Sequence, residues 1–396
     1  MPADAFAEGS NLGITLNYDT GITLNRTVRD IASRTLLYPL RYSVRHSIAC
    51  RSSLMINFRV LATSVAVLCL TLPVVSNASA DNGEVNVYTY RETKLIQPLF
   101  DAFTKDTGIK VNVVSASSGL EQRIKAEGAN SPADVLLTVD IGRIDEAVQA
   151  GVTQPIKSEL IEKIVPAQYR DPDGHWAGIS MRARVIYASK DRVKQDKITY
   201  EELADPKWKG KICIRSGQHI YNNALFAAYT AKYGEAKAEE WLRGVKANLA
   251  QKPSGGDREA ARDVAAGKCD IGIGNTYYWA LMMNNDPDKK PWAEATRVIL
   301  PTFESGGTHV NLSGVLLAKH APNKANAVKL IEWLAGEKAQ QMYADQNYEY
   351  PVRAGVAVNP TIAGYGTLNA DSLPIAKIAA SRKTAATLVD KVGFDN

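Results

Sequence analysis

Val85-Asn86-Val87-Tyr88-Thr89-Tyr90 alternates apolar and polar residues, and a short way on Ile109-Lys110-Val111-Asn112-Val113-Val114 reads the same way. A period of two is the mark of a strand with one face buried. Between the two, Leu95, Ile96, Leu99, Phe100 and Phe103 recur at helical spacing, and Gly108 ends the helix. Strand, helix and strand together read as a βαβ unit. Such a unit predicts an α/β sheet whose ligand cleft lies at the carboxyl ends of its strands. Tyr88, Tyr90 and Arg91 then fall at or near the cleft edge.

Outward from this unit the pattern continues. Ser117-Ser118-Gly119 precedes a helix over 120–127, where it either offers backbone N–H groups to an anion or simply caps the helix. The nearly unbroken apolar run 135–139 reads as a strand buried in a parallel sheet, ending in Asp140 before a helix over 143–149. Residues 176–187 read as a crossing strand pair with Arg182 and Arg184 on one face, either a solvated edge or an anion-binding pair. A strand over 209–214 leads into the polar turn 215–223, which holds Tyr221 and a His219 expected to make local hydrogen bonds. Helices over 236–249 and 257–266 follow. Lys268-Cys269-Asp270-Ile271 then reads as a strand ending in the glycine-rich turn Gly272-Ile273-Gly274-Asn275. At this strand-to-helix junction Tyr277 and Tyr278 either pack as ordinary half-buried aromatics or point into a cleft. Phenolate oxygen is a hard donor that suits small, highly charged cations. A strand over 308–317 and helices over 324–334 and 338–345 complete the reading.

The length of 396 residues allows two or three domains. Met55-Ile56-Asn57-Phe58-Arg59 is a short basic start, 60–75 is largely apolar with Pro73 near its end, and Ala78-Ser79-Ala80 fits a small-residue cleavage pattern. This is a secretory signal peptide over 55–80, cleaved after Ala80, rather than a membrane anchor. Residues 1–54 precede it and are expected to be a non-native upstream extension, with Met55 as the true start. Without 1–80, which hold seven Arg and four acidic residues, 40 basic residues stand against 38 acidic ones. So even a balance indicates no nucleic-acid partner and no attraction to an anionic membrane. Of the four cysteines only Cys213 and Cys269 survive processing, and in an exported chain they are expected to form one disulfide.

The sequence holds no P-loop, G-x-S-x-G elbow, H-E-x-x-H, EF-hand loop or haem-attachment motif. Together, Val85–Arg91 (VNVYTYR), Ser131–Asp140 (SPADVLLTVD), Arg182–Tyr187 (RARVIY), Ile220–Asn222, Gly274–Tyr278 (GNTYY) and His309–Gly314 (HVNLSG) resemble the periplasmic ferric-iron-binding proteins of bacterial ABC importers. The pieces keep that family's order and spacing across 84–360. The resemblance implies a two-lobed periplasmic-binding-protein fold of type II, a Venus flytrap with two crossing hinge strands near 180–184 and 300–308. The first lobe is expected over 81–181 plus 307–356, the second over 182–306 plus 357–396. It further implies that Tyr221, Tyr277 and Tyr278 hold Fe³⁺. In one branch of the family a His-Tyr pair follows the first-strand arginine, where this chain has Glu92-Thr93. The first lobe is therefore expected to close the site with carbonate or a similar anion on Arg91 and Arg182, or with Tyr90 as a direct ligand. Arg184 and Asp140 are given supporting places at most.

The implied function is capture rather than catalysis: a periplasmic monomer, no enzyme, that delivers Fe³⁺ to an inner-membrane ABC permease and its ATPase. Three rivals remain: a binding protein of the same fold for a small anion or polyamine, an exported iron enzyme with His and Asp ligands, and a structural or adhesive exported protein. Mass spectrometry of the protein from its native source is expected to find no peptide from 1–54. One such peptide would overturn Met55 as the start.

Overall fold

The computed structural model describes residues 83–396; the expected upstream extension, signal peptide and cleavage site lie outside the described residues. The chain enters through the expected βαβ unit, β1 (Glu84–Thr89), α1 (Thr93–Thr107) and β2 (Lys110–Ser115), with β1 and β2 parallel. Helix α1 turns Ile96, Leu99, Phe100 and Phe103 inward and stops where Gly108 takes a φ of 73°, a left-handed conformation that suits glycine. Then come α2 (Leu120–Glu127) and β3 (Val135–Thr138), the latter buried throughout and parallel to β1. Asp140 caps α3 (Ile141–Gln149), its carboxylate accepting the Arg143 N–H at 3.0 Å. Two short elements, β4 (Thr153–Gln154) and α4 (Glu159–Ile164), lead to β5 (Trp176–Ser189).

Beyond β5 the order is β6 (Ile212–Cys213), α5 (Ile220–Tyr233), α6 (Glu235–Ala247), α7 (Asp257–Ala265), β7 (Ile271–Asn275), α8 (Thr276–Asn285), α9 (Lys290–Glu294) and β8 (Thr296–Ile299). The chain closes with β9 (Val310–Ala318), α10 (Lys324–Ala335), α11 (Glu337–Asn347), α12 (Pro360–Ala363) and α13 (Ile375–Lys391). Helix α13 has no counterpart in the sequence reading; it packs on α5 and reaches α3.

The strand path runs β2-β1-β3-β9-β5-β7-β6, with β4 beside β9 and β8 beside β5. The stretch expected to be a strand pair is one continuous strand, buried at all 14 positions. A register shift between Gly178 and Ser180 bends it without a turn, so the chain crosses instead of reversing. From Trp176 to Ala183 it pairs with β9, and from Arg184 onward it pairs with β7 and β8. Two sheets are thus joined through one strand, and the return connection 300–309 runs beside it, the Arg184 N–H donating to the His309 carbonyl at 3.0 Å. This is the expected two-lobed, crossing-strand architecture.

The second sheet differs from expectation in detail. The glycine-rich stretch 272–275 is itself strand β7 rather than a turn after one. Glycine is needed there for close approach, because a Cβ on Gly274 would lie 2.2 Å from the Tyr187 ring and one on Gly272 would lie 3.1 Å from the Ala260 carbonyl oxygen. Cys213 ends β6 and Cys269 precedes β7; they form the expected disulfide across 56 residues. Among the described residues no helix is long and apolar enough to cross a membrane.

Closing a loop of this length stabilises by about 4 kcal/mol in the chain-entropy model. The double variant Cys213→Ser, Cys269→Ser is therefore expected to unfold at a clearly lower denaturant concentration than the oxidised protein. Equal midpoints would show that the bridge constrains nothing.

Candidate functional site

Two helix starts meet beyond the carboxyl ends of the parallel strands β6 and β7. Helix α5 begins after His219, whose Nδ1 accepts the Tyr221 N–H at 3.3 Å. The imidazole is a cap, as expected, and burial together with the Arg215 charge pushes its pKa down to about 3. The preceding turn is held by a residue far along the chain: Asp395 accepts the Ser216 hydroxyl at 2.5 Å and the Gly217 N–H at 2.8 Å. Tyr221 sits in the first turn of α5. Helix α8 begins where β7 ends, with Tyr277 and Tyr278 in its own first turn.

These placements bring Tyr221, Tyr277 and Tyr278 together. The rings of Tyr277 and Tyr278 lie 4.1 Å apart, and the Tyr277 hydroxyl interacts with those of Tyr221 and Tyr278. Tyr221 is 9 % and Tyr277 6 % exposed. Burial first, then the neighbouring Tyr221, pushes the pKa of Tyr277 and of Tyr278 well above the usual phenol range. Both are therefore neutral in the free protein at physiological pH.

Cations ring the cluster. Arg182 and Arg215 lie 6.0 and 5.6 Å from the Tyr221 ring, and Arg258 lies 4.3 Å from that of Tyr278. Arg91 and Arg182 are both buried and both donate to Ser313 Oγ, at 3.3 and 2.9 Å. Arg91 also pairs with the buried Glu349 at 2.8 Å; burial pulls the guanidinium pKa down, but the Glu349 charge and hydrogen bond, together with Tyr343 and Tyr277, raise it overall. Its Nε and Nη2, and the Nε of Arg182, are buried donors with no protein partner. Arg182 has no carboxylate within ion-pair distance among the described residues. The four cations leave the phenols in a field that favours bound negative charge.

Tyr90 is placed differently. Its hydroxyl donates to the Glu121 carboxylate and accepts the Leu120 N–H at 2.6 Å, with the Arg143 guanidinium 4.1 Å from its ring. Burial and then the Glu121 bond push its pKa up. Direct ligation by Tyr90 would have to give up its proton and with it the hydrogen bond to Glu121. Arg184, two residues from Arg182, turns away from Ser313 to Asp257. Asp140 serves as the α3 cap. Sequence reasoning assigned nothing to Ser313, Glu349, Arg215, Arg258 or Asp257. Only Ser313 lies inside a quoted motif piece; the others are brought in by long-range packing. Among the described residues no group of three or more His, Cys, Asp or Glu side chains is arranged to hold a metal.

Replacing Gly274 by Ala forces its Cβ into the Tyr187 ring, whose hydroxyl donates to the Asn275 carbonyl at 2.5 Å. Overpacking of this kind costs about 1–3 kcal/mol. Thermal unfolding of Gly274→Ala is expected to show that loss, and an unchanged melting temperature would contradict the contact.

Residues 130–369 match the model of the bacterial extracellular solute-binding proteins. The chain is 42 % identical over 323 residues to iron uptake protein A1 of Synechocystis, covering 81 % of this chain and 90 % of that one. Among solved structures, a Bordetella ferric binding protein is 58 % identical with a TM-score of 0.75, covering 79 % of this chain and 100 % of that one. A Trichodesmium protein solved in complex with iron and citrate ligands is 42 % identical, also with a TM-score of 0.75, covering 79 % of this chain and 100 % of the other. These are binding and uptake proteins, not enzymes, and the likeness to periplasmic ferric-iron-binding proteins that the sequence pieces implied holds over 79–81 % of the chain. The two-lobed fold is theirs as well, and the chain belongs to the family of bacterial extracellular solute-binding proteins.

Proposed function

We propose that this chain captures Fe³⁺ on Tyr221, Tyr277 and Tyr278 and delivers it to an ABC permease with its ATPase. The observation that carries the reading is the convergence of three phenols from two helix starts, Tyr221 and Tyr277 buried and Tyr278 half-buried, beside buried arginines with free donors. Three phenolates balance the charge of a ferric ion and, as hard donors, favour it over softer divalent metals. The names of the similar proteins, ferric binding and iron uptake, point to the same cargo.

Arg91 and Arg182 are the proposed seat of a synergistic anion, carbonate or a close equivalent. Arg91 is already balanced by Glu349, so Arg182 supplies the uncompensated charge and both supply free N–H groups. Tyr90 stays with Glu121 in this scheme. The lobes are taken as 81–181 plus 307–356 and 182–306 plus 357–396, closing by a hinge motion about the crossing strands. The mature protein is taken to be a periplasmic monomer, exported by the signal peptide and cleaved after Ala80.

Each phenol that ligates must release its proton, so iron affinity is expected to weaken by about tenfold per ligated phenol for each unit the pH is lowered. The sign follows from the raised pKa values of Tyr277 and Tyr278: both are protonated in the free protein, and acid opposes their ionisation. Titrating the protein over 81–396 with ferric citrate in bicarbonate buffer is expected to give a visible tyrosinate-to-iron band saturating at one iron per protein. The band is expected to be lost in the double variant Tyr277→Phe, Tyr278→Phe and to weaken without bicarbonate. A protein that stays colourless with and without bicarbonate would remove the iron reading and leave a binder of another small solute.

A further inference from the structure

We propose that Arg184 and Asp257 are positioning residues for the metal site, their ion pair setting the distance between Tyr221 and the Tyr277–Tyr278 pair; this rests on the tyrosine reading above. The three phenols come from separate helix starts, and a shared ion requires those starts to be held to within about 0.5 Å. The sheet does not do this directly. Strands β6 and β7 are paired only at Ile212↔Ile271 and Cys213↔Gly272, well before Tyr221 is reached.

Arg184 spans the gap. Its Nη2 and Nε donate to Asn222 Oδ1 at 2.6 and 3.2 Å, beside Tyr221 in the chain. Its Nη1 donates to Asp257 Oδ2 at 2.6 Å and to Asn275 Oδ1 at 3.1 Å, two residues before Tyr277. Asp257 Oδ2 also accepts the Asn275 N–H at 2.9 Å, and Oδ1 accepts from Arg215 at 3.3 Å. Asn222 is fixed in turn, its Nδ2 donating to the carbonyls of Arg215 and Ser216 at 2.9 and 3.0 Å. One planar guanidinium thus ties the start of α5 to the start of α8, every nitrogen engaged. A lysine offers a single point charge and cannot span both.

Stability does not require this arrangement. The two side chains are 2 % and 0 % exposed, and a buried ion pair is often matched or exceeded by apolar packing of the same volume. What the fork supplies is a fixed geometry. The main chain of Arg184 sits where β5 changes sheets, its carbonyl accepting the Tyr200 hydroxyl at 2.7 Å, so the tie is anchored at the crossing itself. Arg182 contrasts with it: same strand, same residue type, but with a buried donor left open.

The test compares Arg184→Lys and Asn222→Ser with the unsubstituted protein over 81–396, loaded with ferric citrate in bicarbonate. Readouts are the charge-transfer maximum, the electron paramagnetic resonance of the bound iron, affinity by chelator competition, and circular dichroism. Arg184→Lys is expected to keep the native spectrum in the far ultraviolet, lose about ten- to a hundredfold in iron affinity, and shift both iron signals. Asn222→Ser is expected to move the iron signals toward those of Tyr221→Phe. A folded Arg184→Lys with unchanged affinity and iron signals overturns the proposal; if that variant does not fold, unchanged iron signals in Asn222→Ser overturn it instead. An unsubstituted protein without any charge-transfer band sinks the iron reading and this inference together, so the two failures are distinct.

Discussion

A strand buried along 14 residues has nowhere to lose a backbone hydrogen bond. That constraint shapes the whole molecule. Strand β5 must be paired with β9 in its first half and flanked by β7 and β8 in its second, so a single segment belongs to two sheets. Where it changes partners it carries Arg182 and Arg184 into the interior, and a buried guanidinium must be compensated there. The two arginines find different solutions. Arg184 is consumed by Asp257, Asn222 and Asn275, while Arg182 keeps one hydrogen bond to Ser313 and an open donor beside Tyr221. One becomes structure and the other remains available to a ligand.

The phenol cluster shows how neutral groups can be stored in a cationic pocket. Burial keeps Tyr277 and Tyr278 protonated, so the free protein does not have to hold three negative charges in close contact. The surrounding arginines then stabilise negative charge only once protons have been displaced. Glu349 tempers this field by neutralising Arg91, and its second oxygen accepts the Ser180 hydroxyl. The carboxylate follows Tyr348, the single non-glycine residue with positive φ among the described residues, at 54°. A less common backbone conformation thus accompanies the residue that balances the site.

Much of this was legible in the sequence, and the reasons are local. Alternation in β1 and β2, the helical spacing in α1 and the apolar run of β3 each report a periodic burial that needs no knowledge of the rest of the chain. The Tyr-Tyr pair at a strand-to-helix junction was legible for the same reason, and the motif pieces supplied the companion Tyr221. What escaped was contact across long separations. Asp257 meets Arg184 from 73 residues away, and Arg91 reaches Ser313 across 222. Periodicity carries no trace of such pairings. The glycines of β7 were misread as a turn because glycine most often marks one; here a tyrosine ring and a helix carbonyl press against the strand. Arg182 and Arg184 could not be told apart because they share a face and a residue type, and only their neighbours differ.

The turn ahead of Tyr221 has an implication for the order in which the molecule is assembled. Its hydroxyl and amide groups are held by Asp395, 179 residues beyond Ser216, and α13 packs along α5 just before that point. Contacts so distant along the chain carry a large closure entropy and form late. As the polypeptide lengthens from its amino end, the βαβ unit has all of its parts while the Tyr221 turn still lacks its anchor. Completion of the turn that carries Tyr221 is thereby deferred until residue 395 has been added.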